Sequence, residues 1–241
     1  WSFSIADIKT AVGIKEIIAL NDLRAMAYTP FFKGLSLYRC IREGDSGLDC
    51  AVIGLGTGVG HAFVSPKTKE TRETYGGHFV PAAVTKTQHD ILAAIAASKP
   101  HGQTTIFEDV ISGDGLFRIY GALAKLEQAT IQAKSVTDMI PRKDTDPVVK
   151  RAASEFSGFV GLYAHVLCNV TFAYGGVYLG GGALDRIEKA GLFDEAAFIK
   201  NFNQSMVSIV AKSLKETPLF IAQSDYMPLY GLEAYAQLES K

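Results

Sequence analysis

The sequence predicts an α/β protein, with α+β layers packed on a sheet. Three observations carry this. Short apolar runs such as Ala51-Val52-Ile53-Gly54-Leu55 alternate with segments of helical period. Asp146-Pro147 opens a long apolar stretch with the residue pair expected at an N-cap and the position after it. Glycines gather at strand ends, at 56–60, 76–77, 175–176 and 180–182. There a missing side chain lets backbone amides approach a ligand, and phosphate is the usual one.

The elements follow in order. Ser4-Ile5-Ala6-Asp7 reads as a capping box, with Ile5, Ile8 and Val12 on one helical face and Gly13 as the stop. Ile17-Ile18-Ala19-Leu20 reads as a short buried strand, and Leu23 to Ala27 as a helix stopped by Pro30. Residues 33–49, with Gly34, Gly44 and Gly47, read as loops around one weak strand. Residues 51–55 are a strand, 56–60 a glycine cluster and His61 to Ser65 the returning strand of a hairpin. Pro66 to Thr74 is polar and reads as a turn. Helices are expected over 87–98, 107–111, 116–126 and 135–140, then from Pro147 to about Ala173. The centre of that last helix is apolar almost all round, which predicts burial between layers. A strand at 175–182, helices near 183–190 and 194–212, a strand at 219–222 and a helix at 229–238 complete the chain.

Composition excludes several classes. Lys plus Arg is 24 and Asp plus Glu is 25 in 241 residues, a net charge of −1, so no basic excess exists to neutralise nucleic acid. Hydrophobic residues at 48% and charged residues at 20% are a globular balance that argues against disorder. Cys40, Cys50 and Cys168 cannot all pair and form no CxxC, which predicts a reducing cytoplasm. Apolar runs are broken well short of the roughly 20 residues of a membrane helix. No HxxxH or His/Cys zinc spacing and no GxSxG is present.

Four features bear on chemistry. Gly56-Thr57-Gly58-Val59-Gly60 is neither a dinucleotide fingerprint nor a Walker loop, because a strand follows it and no Gly-Lys-Ser/Thr does. It is either a nest for phosphate or a tight hairpin. Asn21-Asp22 follows the first strand. Asp22 there can take a proton from a hydroxyl that attacks phosphorus, or serve as a helix N-cap. His78, after two glycines, is a hydroxyl ligand or a packed histidine; Glu108 is a charged acceptor or a solvated helix residue.

In this order the pieces resemble one family, the bacterial ATP-dependent glucokinases of the hexokinase/actin-like ATPase superfamily, which has a ribonuclease H-like fold. The resemblance lies in Trp1-Ser2-Phe3-Ser4-Ile5-Ala6, Leu20-Asn21-Asp22-Leu23, Gly54 to Gly60, Gly76-Gly77-His78, Phe107 to Leu116 and Gly175 to Gly182. It covers essentially the whole chain. It implies transfer of the ATP γ-phosphoryl group, with Mg2+, to the 6-hydroxyl of glucose. Asp22 would be the general base, and Asn21, Gly77, His78 and Glu108 would hold the sugar. Thr57 with the amides of Gly56, Gly58 and Gly60 would hold phosphates, and Gly180, Gly181 and Gly182 would face adenosine. No resident metal ligand is assigned. The domains expected are a small-lobe remnant at 1–22, a large domain at 23–222 and a helix at 223–241 returning to the small lobe.

Two departures from the family stand out. Its sugar motif reads Glu-Gly-Gly-His, and Tyr75 occupies the first place here. A phenol does not replace a carboxylate worth roughly 1.5–3 kcal/mol to a hydroxyl, so a shifted hexose preference is expected. Its first phosphate loop, of Asp-Val-Gly-Gly-Thr type, has no counterpart, so an N-terminally truncated fragment of low activity is expected, with exposed strand edges that invite a homodimer. Two rivals remain: a non-catalytic sugar or nucleotide sensor on the same fold, and an acyl-kinase-like enzyme.

Overall fold

The computed structural model describes residues 4–33, 36–44, 47–100 and 103–239. Trp1-Ser2-Phe3 and Gly34, used in the sequence reading, lie outside them. The strands are β1 (Tyr38–Arg42), β2 (Cys50–Leu55), β3 (Val59–Val64), β4 (Thr71–Thr74), β5 (Gly176–Gly180) and β6 (Leu219–Ala222). They form one sheet in the order β1-β6-β5-β2-β3-β4. The central β2, β5 and β6 run parallel; β1, β3 and β4 add antiparallel edges. The three parallel strands therefore end on the same side of the sheet.

The helices are α1 (Ile5–Val12), α2 (Asp22–Met26), α3 (Lys86–Ala96), α4 (Phe107–Ile111), α5 (Gly115–Leu126), α6 (Val136–Met139), α7 (Pro147–Thr171), α8 (Gly182–Lys189), α9 (Glu195–Phe202), α10 (Ser208–Glu216) and α11 (Met227–Glu239). Side chains of β2 alternate between two cores, as pleating requires. Ala51, Ile53 and Leu55 join the larger one, with Phe107, Tyr120, Phe156, Phe159, Tyr163 and Phe198. Cys50 and Val52 join the smaller one, with Met26, Ala62, Ala222 and Met227. The sheet is thus covered on both faces, which explains why β2 reads as a continuous apolar run.

The long helix starts as its sequence predicts: the Asp146 carboxylate accepts from the N–H of Val148 and of Val149, at 2.8 and 3.4 Å. It packs tightly on α9, where the Phe198 carbonyl occupies the space a side chain at Gly161 would need. Cys168 is fully buried in α7. On the other face α11 lies on α2, with Tyr28 against Tyr235 at 5.0 Å. No helix among the described residues is long and apolar enough to cross a membrane.

Three expectations on secondary structure are corrected. Residues 17–20 form no strand, and Ile18 is 51% exposed. A strand needs a partner to satisfy its backbone, and none of the described strands pairs with this segment. Residues 71–74 are a strand rather than a turn; only Thr71 is buried, so no apolar alternation marks it. The helix expected over 194–212 is two helices. Between them the Ser205 hydroxyl accepts from the N–H of Val207 at 3.2 Å, a local bond that competes with helical continuation. At the start of the chain, Ser4 caps α1 by accepting from the N–H of Asp7 at 3.1 Å, as expected, and Gly13 ends it at φ 72°. No residue of α1 is buried.

Candidate active site

A cleft of about 730 Å³ opens at the carboxyl ends of β2 and β5, with Asp225, beyond β6, on its wall. Parallel strands expose their ligand-binding loops at that end. Asn21, Asp22, Gly56, Thr57, Gly58, Gly60, His78, Glu108, Gly181 and Gly182 all line it. These residues come from five separate stretches of sequence, and folding brings them to one wall-to-wall space.

The first turn of α2 carries Asn21 and Asp22. Asn21, not Asp22, is the N-cap: its side-chain oxygen accepts from the N–H of Leu23 at 2.9 Å and of Arg24 at 3.4 Å. Asp22 is the first helical residue and is exposed; one oxygen also accepts from the N–H of Leu23 at 2.9 Å. Asp22 lines the cleft. Leu23 seats the turn on the sheet, since a Cβ at Gly60 would lie 2.7 Å from its Cγ. Gly60 therefore serves as a packing notch under the turn that bears Asp22.

Residues 56–58 are the loop of a hairpin in which Gly54 opposes Gly60. The loop is held from two sides. Gly113 donates its N–H to the Gly56 carbonyl at 2.7 Å, and the N–H of Val59 donates to Glu108 Oε2 at 2.9 Å. Glu108 so joins the glycine loop to α4 through a charge-assisted bond. A Cβ at Gly58 would stand 2.8 Å from that same oxygen. Thr57 is exposed at the loop tip.

The turn Gly76–His78 presents His78 to the cleft beside the 86% exposed Tyr75, ring centroids 6.2 Å apart. Gly77 is buried behind it, and the Val59 carbonyl fills the space its side chain would take. Gly180 is likewise outside the cleft wall: Met26 Cε and Ala222 Cβ sit 2.8 and 3.2 Å from its missing Cβ. Gly181 and Gly182 are on the wall, where Gly181 at φ +100° caps the start of α8. A second cavity of about 390 Å³ shares Gly56 and Thr57 with the cleft and adds Gly113, Lys134, Ala183 and Arg186.

Sequence reasoning missed several wall residues. Lys134 and Arg186 lie in segments read only as helix or loop, and Asp225 follows β6 with no motif around it. His61 belongs to the returning strand of the hairpin, and only its register opposite Thr74 shows what it touches. Burial pushes its imidazole down to about 4, so the native ring is neutral near neutral pH. The unfolded chain binds a proton on this residue below pH about 6.5 and the folded chain does not, so stability falls as pH drops from 6.5 to 4. Replacing His61 by Gln is expected to flatten that decline by roughly 1–3 kcal/mol, read from denaturant midpoints at pH 7 and pH 4.5. An unchanged slope would contradict it.

Among the described residues, no group of three or more acidic, His or Cys side chains converges to hold a metal ion. Asp22 and Asp225 both line the cleft, and lone carboxylates of this kind suit an ion that keeps most of its ligands from phosphate and water.

Comparison with known proteins places this geometry. The fold superposes over 99% of the chain, at TM-score 0.84 and 26% identity, on 73% of a glucokinase from an Antarctic psychrotroph. It superposes at TM-score 0.73 and 17% identity on the glucokinase of Balamuthia mandrillaris, solved in complex with glucose. The architecture is thus that of sugar kinases on the actin-like ATPase fold. The glucokinase family model matches residues 1–239, and the chain belongs to the glucokinase family. Curated relatives include glucokinases of Aromatoleum aromaticum, 29% identical over 96% of this chain, and of Paramagnetospirillum magneticum, 32% identical over 79%. The chain spans 70% and 60% of their respective lengths.

Proposed function

We propose that this chain carries the sugar site and much of the nucleotide site of a glucokinase, which transfers the γ-phosphoryl group of Mg-ATP to the 6-hydroxyl of glucose. The observation that carries the reading is the convergence of Asp22, Asn21, His78 and Glu108 on one cleft that the glycine loop 56–60 also lines. Asp22 takes the proton of the attacking hydroxyl as that oxygen bonds to the γ-phosphorus and ADP leaves in line. Asn21, His78 and the free oxygen of Glu108 bind sugar hydroxyls, with Gly77 shaping the turn that bears His78. Thr57 and the loop amides receive the phosphates.

Two features support a nucleotide here. The second cavity continues from the phosphate loop and carries two cations, Lys134 and Arg186. The start of α8, which has no side-chain cap, lies at Gly181 and Gly182 on the adjoining cleft. A Streptomyces griseus ROK family glucokinase with this fold, at TM-score 0.55 and 18% identity, was solved with glucose and AMPPNP. The domain division that goes with this reading assigns residues 1–22 to a smaller lobe, 23–222 to the large domain and 223–241 to a helix returning to the smaller lobe. Cys40, Cys50 and Cys168, with no CxxC among them, accord with a cytoplasmic setting.

The test is hexose-dependent ADP release from Mg-ATP by the protein that carries this sequence, across glucose, mannose, fructose and N-acetylglucosamine. Glucose-dependent turnover is expected. Sugar or nucleotide binding without turnover on any hexose would favour a sensor instead. Tyr75 lines the cleft at the place where the family resemblance implies Glu. Tyr75→Glu is therefore expected to tighten glucose binding by roughly tenfold or more, the worth of a charged hydrogen bond, and to sharpen the preference for glucose. An unaltered hexose profile and affinity would rule out a selectivity role for position 75.

A further inference from the structure

At the base of the cleft, His61 and Thr74 join its lining, and the buried His61 is used by none of these roles. His61 is 1% exposed and bonded on both sides of its ring. Nδ1 lies 2.6 Å from the hydroxyl of Tyr163 on α7, and Nε2 is bonded to the hydroxyl of Thr74 on β4. Thr74 Oγ1 also accepts from the N–H of Gly76 at 3.2 Å. Gly76 rests directly on the imidazole, since a side chain at that position would overlap Cε1. On the far side, Tyr163 packs on Phe107 with centroids 4.9 Å apart, and the next residue in α4 is Glu108.

We propose that His61 is a positioning residue for the sugar site: it bridges Tyr163 and Thr74, and so holds the Tyr75–His78 turn in register with α4 and Glu108. The inference rests on the reading of that turn as sugar-binding.

Three physical points support it. The turn's own backbone bonds are local, from His78 to Tyr75 at 3.0 Å and from Phe79 to Gly76 at 2.9 Å. They shape it without fixing where it stands. Its longer-range ties are the Thr74–His61–Tyr163 chain and the bond from the Phe107 N–H to the Phe79 carbonyl at 2.9 Å. A neutral imidazole has one N–H and one lone pair, so it donates to one hydroxyl while accepting from the other. The chain therefore has a single satisfied arrangement for each tautomer, and every link in it is bonded. A sugar ligand held by hydrogen bonds needs such support behind it, because a misplacement of the order of 1 Å forfeits the bond.

Thr74→Val tests this, with Thr74→Ser as its rescue. Valine keeps the shape but removes the hydroxyl that joins His61 to the Gly76 amide; serine restores it. Thr74 is exposed, so both variants are expected to fold. Two quantities are read: amide hydrogen exchange over residues 75–79 without ligand, and glucose affinity by calorimetry beside Mg-ATP affinity. In Thr74→Val, exchange over 75–79 is expected to quicken and glucose affinity to fall about tenfold, the worth of a hydrogen bond, with Mg-ATP affinity unchanged. Thr74→Ser is expected to return both towards the parent values. Unchanged exchange in Thr74→Val overturns the positioning role, as does faster exchange with unaltered glucose affinity. A parent protein that binds Mg-ATP but no hexose overturns the sugar-site reading itself, and the proposal with it.

Discussion

Asp22→Asn is expected to lower glucose-dependent turnover by about 10²- to 10⁴-fold, the range for loss of a general base, with glucose binding retained within a few-fold. The geometry makes this a clean substitution. Asn21, not Asp22, caps α2, and the bond that Asp22 makes to the N–H of Leu23 needs only one side-chain oxygen. Asparagine keeps that oxygen. What it loses is the capacity to take a proton, because a neutral amide does not act as a base in the pH range of the reaction. The seat of the turn is also untouched, since Leu23 packs into the space left by Gly54 and Gly60. The effect belongs in kcat rather than in the sugar KM. Turnover within tenfold of the parent protein would remove Asp22 from the mechanism.

Glu108→Ala is the second large effect, and it is expected to weaken both substrates. One oxygen of Glu108 accepts from the N–H of Val59, at the end of the glycine loop, and the residue lines the cleft. A charged hydrogen bond is worth roughly 1.5–3 kcal/mol, so glucose binding is expected to weaken by about 10- to 150-fold. The same deletion leaves the Val59 N–H without its acceptor and frees the loop on which phosphates are proposed to sit. Mg-ATP affinity is then expected to fall several-fold. Glu108→Gln separates the two roles. It can still accept from Val59 but carries no charge, so Mg-ATP affinity is expected near the parent value while glucose remains weakened. Equal losses of both ligands in the Gln variant would argue that charge, not the loop anchor, governs the nucleotide site. Isothermal titration with each ligand reads the outcome directly.

The legible parts of this protein are those whose signal is local. Asp146-Pro147 announces α7 because a carboxylate can reach the free amides one turn ahead, and proline has no amide to leave unbonded. The buried run 51–55 and the glycines after it mark a strand and its loop for reasons of period and conformational freedom. Asn21-Asp22, His78 and Glu108 are each open to a plain structural reading, and for the first pair it holds in part, since Asn21 is the cap of α2. Glu108, plainly read as a solvated helix residue, instead anchors the glycine loop, and Gly77 is a packing notch that no such reading named. Capping and presenting a ligand are compatible, since a side chain at the head of a short helix over a cleft does both.

Other parts were illegible because their cause is non-local. Strand β4 has almost no apolar face and exists because β3 offers it a ladder. The apolar run 17–20 has β-forming residues and no ladder beside it among the described residues, so it is no strand. Gly180 and Gly181 are neighbours in one motif, yet the first is sealed under Met26 and the second lines the cleft. No spacing rule separates them, because the difference lies in what the fold packs on each. Local chemistry in the chain determined the fold class, the caps, the glycine loops and the residue types suited to phosphoryl transfer. Only the tertiary structure decided which of them share a cleft and that His61 bridges Tyr163 and Thr74 at its base, because those facts depend on contacts between residues far apart in sequence.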